Sequence, residues 1–293
     1  MSHPAEPIAA ANLGTLLVSC TDRRGLVAAL AQVLHGHGAN ILSADQHRDA
    51  SAGQFFQRIQ FDTSELLTDK NTLERAVREV QGRFDMQVRL SYADYIPKLA
   101  LFVSRYDHCL YDLLWRRQSA ELRCEIAAIV SNHDDLRPIA DQFGVTYYHF
   151  PMNSESRAAQ EARQLELLAR LGIDLVVLAR YMQILSPEFT QQYPNRIINI
   201  HHSFLPAFIG GKPYHQAHER GVKLIGATAH YATASLDEGP IIEQDVLRAS
   251  HRDAIEDLVR KGRDVERAVL GRAVRWHIEQ RVLVWGNKTV VFE

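Results

Sequence analysis

Cysteine is scarce in this sequence: Cys20, Cys109 and Cys124 are the three present among 293 residues. They are odd in number, far apart and include no CxxC pair, so neither a disulfide framework nor a thiolate metal site is indicated. A reducing, cytoplasmic compartment is favoured. An excess of one charge is missing too, since 33 Lys and Arg stand against 35 Asp and Glu. Nucleic-acid and membrane-surface binders normally carry a clustered basic excess, so neither partner is expected. No run approaches the roughly 18 apolar residues of a membrane helix. The opening MSHPAEPIAAANLG lacks the basic stretch and apolar core of a secretory signal. Repeats, low-complexity tracts and long charge runs are absent. What remains is 46% hydrophobic and 23% charged, an ordinary globular balance at a length that suggests about two domains.

The first part divides into short elements. Leu13 to Ser19 is an apolar run of strand length, followed by the polar turn CTDRRG, with Asp22 near a helix N-terminus. Leu26, Leu30, Val33 and Leu34 repeat at helical spacing until HGHG closes the helix. ANILSADQHR is extended and DASAG reads as a hairpin turn. Phe55, Ile59 and Phe61 then share one strand face, with Arg58, Gln60 and Asp62 opposite. A second helix carries Leu73, Ala76, Val77 and Val80, and Met86, Val88 and Leu90 alternate in a last strand. The order β-α-β-β-α-β is the ferredoxin-like unit, a fold that hosts many unrelated functions.

A boundary near Pro97 divides the chain into residues 1–95 and 96–293. Beyond it LALFVS, CEIAAIVS and DLVVLA are near-continuous apolar runs, as in strands covered on both faces. A helix is expected from about Ser154 to Leu171, with Leu165, Leu168 and Ala169 on one side and Gly172 as its stop. The fold class is therefore α/β: a ferredoxin-like unit, then an open, mostly parallel sheet. Such sheets bind ligands beyond the carboxyl ends of their strands.

The chemistry concentrates between Arg196 and His218. Ile197 to Ile200 reads as a strand with Asn199, His201, His202 and Ser203 at its carboxyl end. Downstream, ATASLDEGPIIEQD places Asp237 in a turn. An amide that donates to an oxyanion, an imidazole that moves a proton and a carboxylate that orients it suit acyl chemistry. Plain turn or cap roles for Asn199 and Asp237 compete with that reading. Ser203 lacks the G-x-S-x-G elbow of a serine hydrolase. His201, His202, His215, His218 and His230 raise a zinc hydrolase instead. Against it, HxxH at His215 and His218 is not HExxH, and adjacent His201 and His202 point apart if strand alternation persists.

INIHHSFLP with SLDEGPIIEQ resembles the folate-dependent formyltransferase fold family, which carries N-x-H followed by Asp in a D-x-G-P turn. The match runs over roughly Lys98 to Asp245. LARYMQILSPEF is similar to the family segment whose backbone lines the pterin pocket. That resemblance implies Asn199, His201 and Asp237 as catalytic residues. It implies Arg180, Tyr181, Met182, Gln183, Ile184, Leu185 and Gly239 around the substrate, a folate derivative, with no metal and no cofactor. Family members differ in acceptor. Ribonucleotide enzymes carry a glycine-rich phosphate loop after the first strand, where this chain has VSRYDHCLYDLLWR without glycine. The tRNA enzymes need basic surface and an added C-terminal domain. Water remains as acceptor, and S-x-x-D-H-C-L-x-D-L-L-W-R, SNHDDL and FIGGKPYHQAH resemble the formyltetrahydrofolate deformylase family. CTDRRGLVAALAQVLHGHGANI resembles an ACT domain, and ACT followed by the formyltransferase fold is the deformylase order.

The resemblance implies hydrolysis of 10-formyltetrahydrofolate to formate and tetrahydrofolate, within one-carbon metabolism, for purine biosynthesis or folate recycling. Asp107 and His108 close the acceptor side around water, or simply cap the next helix. His202 supports the site or lies at the surface, and Lys212 meets the folate glutamate tail or, the favoured reading, solvent. Asp22, Gly25, Asn40 and Ile41 match positions around an amino-acid effector, with methionine and glycine as candidates. The ACT unit could equally serve assembly alone; both readings expect a homo-oligomer. Two alternatives stay open: transfer to an unphosphorylated amine, and an amino-acid-binding regulatory protein with an idle folate domain.

Overall fold

In the computed structural model, which describes residues 12–153, 155–206 and 213–293, the two halves of the sequence build different sheets. The segment judged non-secretory falls largely outside the described residues, as do Ser154, the expected helix start, and Lys212. Contacts divide the chain into one unit of Met1–Ile96, Gln280–Leu283 and Val290–Glu293, and a second of Pro97–Glu279 and Val284–Thr289.

The first unit runs β1 (Leu13–Thr21), α1 (Leu26–Gly36), β2 (Asn40–Asp49), β3 (Gln54–Asp62), α2 (Lys70–Phe84) and β4 (Gln87–Tyr92). Its antiparallel sheet has the order β2-β3-β1-β4, the ferredoxin-like arrangement. Leu26, Leu30 and Leu34 of α1 and Leu73 and Val77 of α2 recur on one helical face each. They pack on Leu16, Val18, Phe55, Ile59 and Phe61 of the sheet. The other face of β3 is not solvent-exposed, as strict alternation would have it: Phe56 and Arg58 are buried. The end of the chain explains this. Arg58 Nε donates to Gln280 O at 2.9 Å and Arg89 Nη2 to Val282 O at 2.9 Å, so returning residues of the same unit satisfy the buried guanidinium.

The second unit adds β5 (Lys98–Val103), α3 (His108–Gln118), β6 (Glu125–Ser131), α4 (Arg137–Phe143), β7 (Tyr147–His149), α5 (Arg157–Leu171) and β8 (Leu175–Leu178). It continues through α6 (Pro187–Gln192), β9 (Ile197–His201), α7 (Pro213–Arg220), β10 (Leu224–Tyr231), β11 (Ile241–Arg248) and α8 (Ile255–Ile278). A hairpin, β12 (Val282–Trp285) and β13 (Lys288–Val291), ends the chain. The sheet order is β11-β10-β9-β8-β5-β6-β7. β9, β8, β5, β6 and β7 are parallel, while β10 is antiparallel to both of its neighbours. Leu99 to Val103 and Leu175 to Leu178 are buried along their length, as strands covered on two faces must be.

The buried stripe of α5 departs from expectation. It comprises Leu167 and Leu168 with Glu161 and Gln164, while Leu165 is only partly covered and Ala169 is exposed. Inside, Gln164 Nε2 donates to the Tyr181 hydroxyl at 3.3 Å while its Oε1 finds no partner among the described residues, and Glu161 accepts from Ser186 N–H at 3.3 Å. Gly172 ends the helix at a left-handed φ of 64°.

From β5 the chain first builds β6 and β7 on one side, then returns to place β8 and β9 on the other. The crevice beyond the carboxyl ends of β5 and β8 is where strand order reverses. Among the described residues no helix is long and apolar enough to cross a membrane.

Candidate active site

Strand register assembles the reactive face before any loop contributes. Residues two apart on a strand share a face, so Asn199 and His201 of β9 point the same way. Antiparallel β10 sets His230 opposite Asn199 and Thr228 opposite His201, and directly opposed residues also share a face. His230, which the sequence offers only as a possible zinc ligand, thereby joins the amide and the imidazole.

The segment between β10 and β11 folds back over this face. Tyr231 N–H donates to Pro240 O at 2.9 Å, closing the loop. Gly239 passes so near the Tyr231 carbonyl that an added Cβ would lie 1.8 Å from its oxygen. Asp237 takes a left-handed φ of 56°, which aspartate tolerates better than most residues. Its carboxylate comes within 3.3 Å of His201 Nδ1 and 3.6 Å of His230 Nε2. The structure thus brings Asn199, His201 and Asp237 together. Gly239 stands outside the cavity wall and shapes the loop instead of touching substrate space.

Hydrogen bonding assigns the ring states. The Tyr231 carbonyl only accepts, so His230 Nδ1, 3.0 Å away, carries the hydrogen. Asn199 Nδ2 only donates, and it lies 3.1 Å from His230 Nε2. The same Nε2 lies 3.6 Å from Asp237, so the amide and the carboxylate meet at one edge of this ring, which orients the amide while Nδ2 keeps a second N–H. At His201 the Nδ1–H faces Asp237. Nε2 is buried with no hydrogen-bond partner among the described residues. The bonds from His201 and then His230 hold the Asp237 carboxyl far below the usual carboxylate range, so it is ionised at neutral pH. Burial, followed by the Arg180 charge, pulls the His202 ring down to about 4, leaving it neutral at pH 7. Both His201 and His202 border the cavity, with ring centroids 5.3 Å apart. Strand alternation does not separate them because β9 ends at His201.

The cavity, of about 510 Å³, extends to the segment after β8. Met182 N–H donates to Ser104 Oγ at 3.0 Å, and Ser104 Oγ donates to Asn132 Oδ1 at 2.7 Å. The ends of β5 and β6 therefore pin this segment, which accounts for the serine and asparagine of the SxxDHC and SNHDDL motifs. Arg180, Tyr181, Met182, Gln183, Ile184 and Leu185 all border the cavity. Tyr181 and Leu185 also belong to the core, whereas Met182 and Ile184 are exposed.

A second polar centre closes the opposite side. Glu266 of α8, 1% exposed, accepts from the Tyr214 hydroxyl at 2.7 Å and from His108 Nε2 at 2.8 Å. Arg180 Nε lies 3.4 Å from the same carboxylate. Burial pushes Glu266 up, but the His108 bond and the Arg180 charge outweigh it and hold the carboxyl below its ordinary value. Glu266 was not singled out from the sequence. Its signal was a charge set on the stripe of Leu258, Val265, Val269, Leu270 and Ala273 that α8 buries. His108 lines the cavity, while Asp107 is exposed, lies outside the wall and makes no side-chain cap for α3.

Four of the five histidines read as a zinc set, His201, His202, His215 and His230, border the cavity, but no three of the five hold ligand atoms close enough to share one ion. Among the described residues the group close enough to share an ion is His108, Cys109 and Glu266, with ligand atoms within 4.8 Å. There the Arg180 cation competes for Glu266, and His108 already donates to it, so the donors are committed to one another.

In the first unit, Asp22 and Gly25 border a separate cleft of about 620 Å³ with Arg23, Gln46, His47 and Arg48, and Asp22 pairs with Arg48. Asn40 and Ile41 do not join them. Asn40 begins β2 opposite Asp62, and the strand reaches the cleft only at Gln46, about 20 Å further along at the rise of an extended chain.

Residues 97–274 match the formyl transferase family model and residues 14–79 the ACT domain model. A formyltetrahydrofolate deformylase from Synechocystis is 56% identical, with 95% of this chain and 98% of the relative covered. The crystal structure of a formyltetrahydrofolate deformylase from Pseudomonas syringae superimposes with a TM-score of 0.95 at 46% identity, covering 99% of this chain and 96% of that one. A glycinamide ribonucleotide transformylase from Symbiobacterium toebii is similar over 68% of this chain and 95% of its own, with a TM-score of 0.64 and 32% identity.

Proposed function

The chain belongs to the formyltetrahydrofolate deformylase family, and from that premise we infer that the second unit hydrolyses 10-formyltetrahydrofolate to formate and tetrahydrofolate. The observation that carries this reading is the buried, unpartnered Nε2 of His201, whose Nδ1–H faces the ionised Asp237. Such a ring accepts a proton at Nε2, and the carboxylate stabilises the cation that forms.

The pterin lies against the Met182 to Leu185 backbone, which brings the formyl carbon toward Asn199 and His201. Water attacks that carbon while its proton passes to His201 Nε2. The new oxyanion accepts the second N–H of the Asn199 amide, whose first is held by His230. His201 returns the proton to the folate nitrogen as the carbon–nitrogen bond breaks. Tetrahydrofolate leaves with formic acid, which ionises to formate. Water, substrate and side chains balance every step, with no metal or further cofactor.

The test is incubation of the purified protein with 10-formyltetrahydrofolate and no amine acceptor. Equal, enzyme-dependent release of formate and tetrahydrofolate, abolished in Asp237→Ala, is expected. Turnover only with an added amine would move the reading to a formyltransferase, and amino-acid binding without turnover to a regulatory protein.

The first unit acts as the regulatory part and the second as the catalytic part, with the expected division into 1–95 and 96–293 amended by Gln280–Leu283 and Val290–Glu293, which belong to the first. The cleft of the first unit suits an amino-acid zwitterion, with Asp22 for the ammonium and Arg23 or Arg48 for the carboxylate. Methionine and glycine are the effectors to test by equilibrium dialysis. No retention of either at millimolar concentration would leave the unit a role in homo-oligomer assembly. The cysteines are free and buried, in keeping with a cytoplasmic enzyme.

A further inference from the structure

Arg180 is a cationic residue of the cavity wall that catalysis by Asn199, His201 and Asp237 leaves unused. Its backbone sits at a φ of 65°, a conformation glycine takes freely and a long side chain rarely adopts. Its side chain is only 8% exposed, and its Nε and Nη1 atoms donate no hydrogen bond to any described residue. Buried guanidinium donors are rarely left without acceptors. The group is also held in place: it stacks over the Tyr106 ring at 4.8 Å and lies 3.4 Å from Glu266. Both Arg180 and Tyr106 border the same cavity as His201 and His202. A strained backbone, buried donors that Glu266 approaches only to 3.4 Å, and a guanidinium fixed on the cavity wall together describe a recognition group that a ligand's acceptor can complete.

We propose that Arg180 forms a small-carboxylate subsite that holds the formate produced in this cavity before its release. This rests on the deformylase reading for the source of the formate. A planar ion with two acceptor oxygens supplies what the guanidinium lacks. Glu266 is built into the device as a competitor. Its carboxylate neutralises Arg180 when the subsite is empty, and its bonds to His108 and Tyr214 keep it in place when formate enters. Formate therefore binds against a like charge, which weakens its hold and favours release.

Two variants with opposite expected signs test this. Binding of ¹³C-formate to the free protein is read by NMR line broadening, with chloride at matched ionic strength as control. Arg180→Gly should weaken formate roughly ten- to a hundredfold, with a lower melting temperature because Glu266 is left buried without its cation. Glu266→Gln, which keeps shape and removes charge, should tighten formate by about fivefold or more. Loss of fold order in the cavity would instead weaken binding in both variants, and that result overturns the proposal. So does formate binding in Arg180→Gly within twofold of the parent, or in Glu266→Gln no tighter than in the parent. A raised KM for 10-formyltetrahydrofolate in Arg180→Gly with formate binding intact would assign the arginine to the folate glutamate carboxylates and also overturn it. Because formate is titrated into the free protein, absence of hydrolysis by the parent would count against the proposed function alone.

Discussion

Asp237→Asn separates charge from shape at the centre of the site. The backbone there is left-handed, and asparagine adopts that conformation at least as readily as aspartate, so the loop should keep its path. What changes is the face shown to His201. The carboxylate, 3.3 Å from Nδ1, can only accept, which keeps the hydrogen on Nδ1 and the lone pair on Nε2. An amide turned with its NH₂ toward Nδ1 stabilises the other tautomer, in which Nε2 carries the hydrogen and cannot take one from water. The equivalent inversion in a serine protease triad costs about 10⁴ in kcat. We expect a loss of about 10³ to 10⁴ here, or roughly 4–5.5 kcal/mol at 1.36 kcal/mol per factor of ten. Formate release at saturating substrate measures it, with KM little changed. Stability supplies an independent check. Asp237 is held below its ordinary pKa by the folded site, so its contribution is complete above the unfolded value near 3.9 and is lost as pH falls through the lower folded value. The gap in melting temperature between parent and variant should close on acidification below about pH 4. A variant that keeps more than a tenth of parental kcat would refute the orienting role.

Asn199→Ala removes the oxyanion donor and should lower kcat by about 100- to 1,000-fold without raising KM; near-normal turnover would remove Asn199 from the mechanism. Gly239→Ala forces a methyl onto the Tyr231 carbonyl and should cost about 1–3 kcal/mol. Calorimetry would show this as a melting temperature several degrees lower, and turnover should fall because the same loop carries Asp237. His202 is already neutral above about pH 5, given its lowered pKa of about 4. His202→Gln should therefore leave the acidic limb of the kcat/KM profile in place, and disappearance of that limb would make His202 the titrating base.

The α/β class, the element order of the first unit and the contents of the β9–loop–Asp237 stretch were legible in the sequence, because each is local. Strand alternation places Asn199 with His201, and a glycine–proline turn marks Asp237. His230 was visible only as one histidine among several. Its role depends on antiparallel register between β9 and β10, which residue spacing along one strand does not encode. Glu266 and its partners His108, Tyr214 and Arg180 are far apart in sequence and meet only through sheet order and the docking of α8. The burial of Phe56 and Arg58 needed the returning end of the chain. Asn40 and Ile41 show the opposite failure, in which a motif read as one site spans both ends of a strand.

The two polar centres of the cavity draw on the chain in different ways. The hydrolytic half comes from neighbouring strands and the loop that follows them, a single stretch that can be inherited as a block. The Glu266 half is drawn from the start of α3, the segment after β8, α7 and α8. In descent, those scattered positions can be exchanged one at a time while the Asn–His–Asp block is left alone. The choice of acceptor is thus the evolvable half of this scaffold, open to change without rebuilding the chemistry that releases the formyl group.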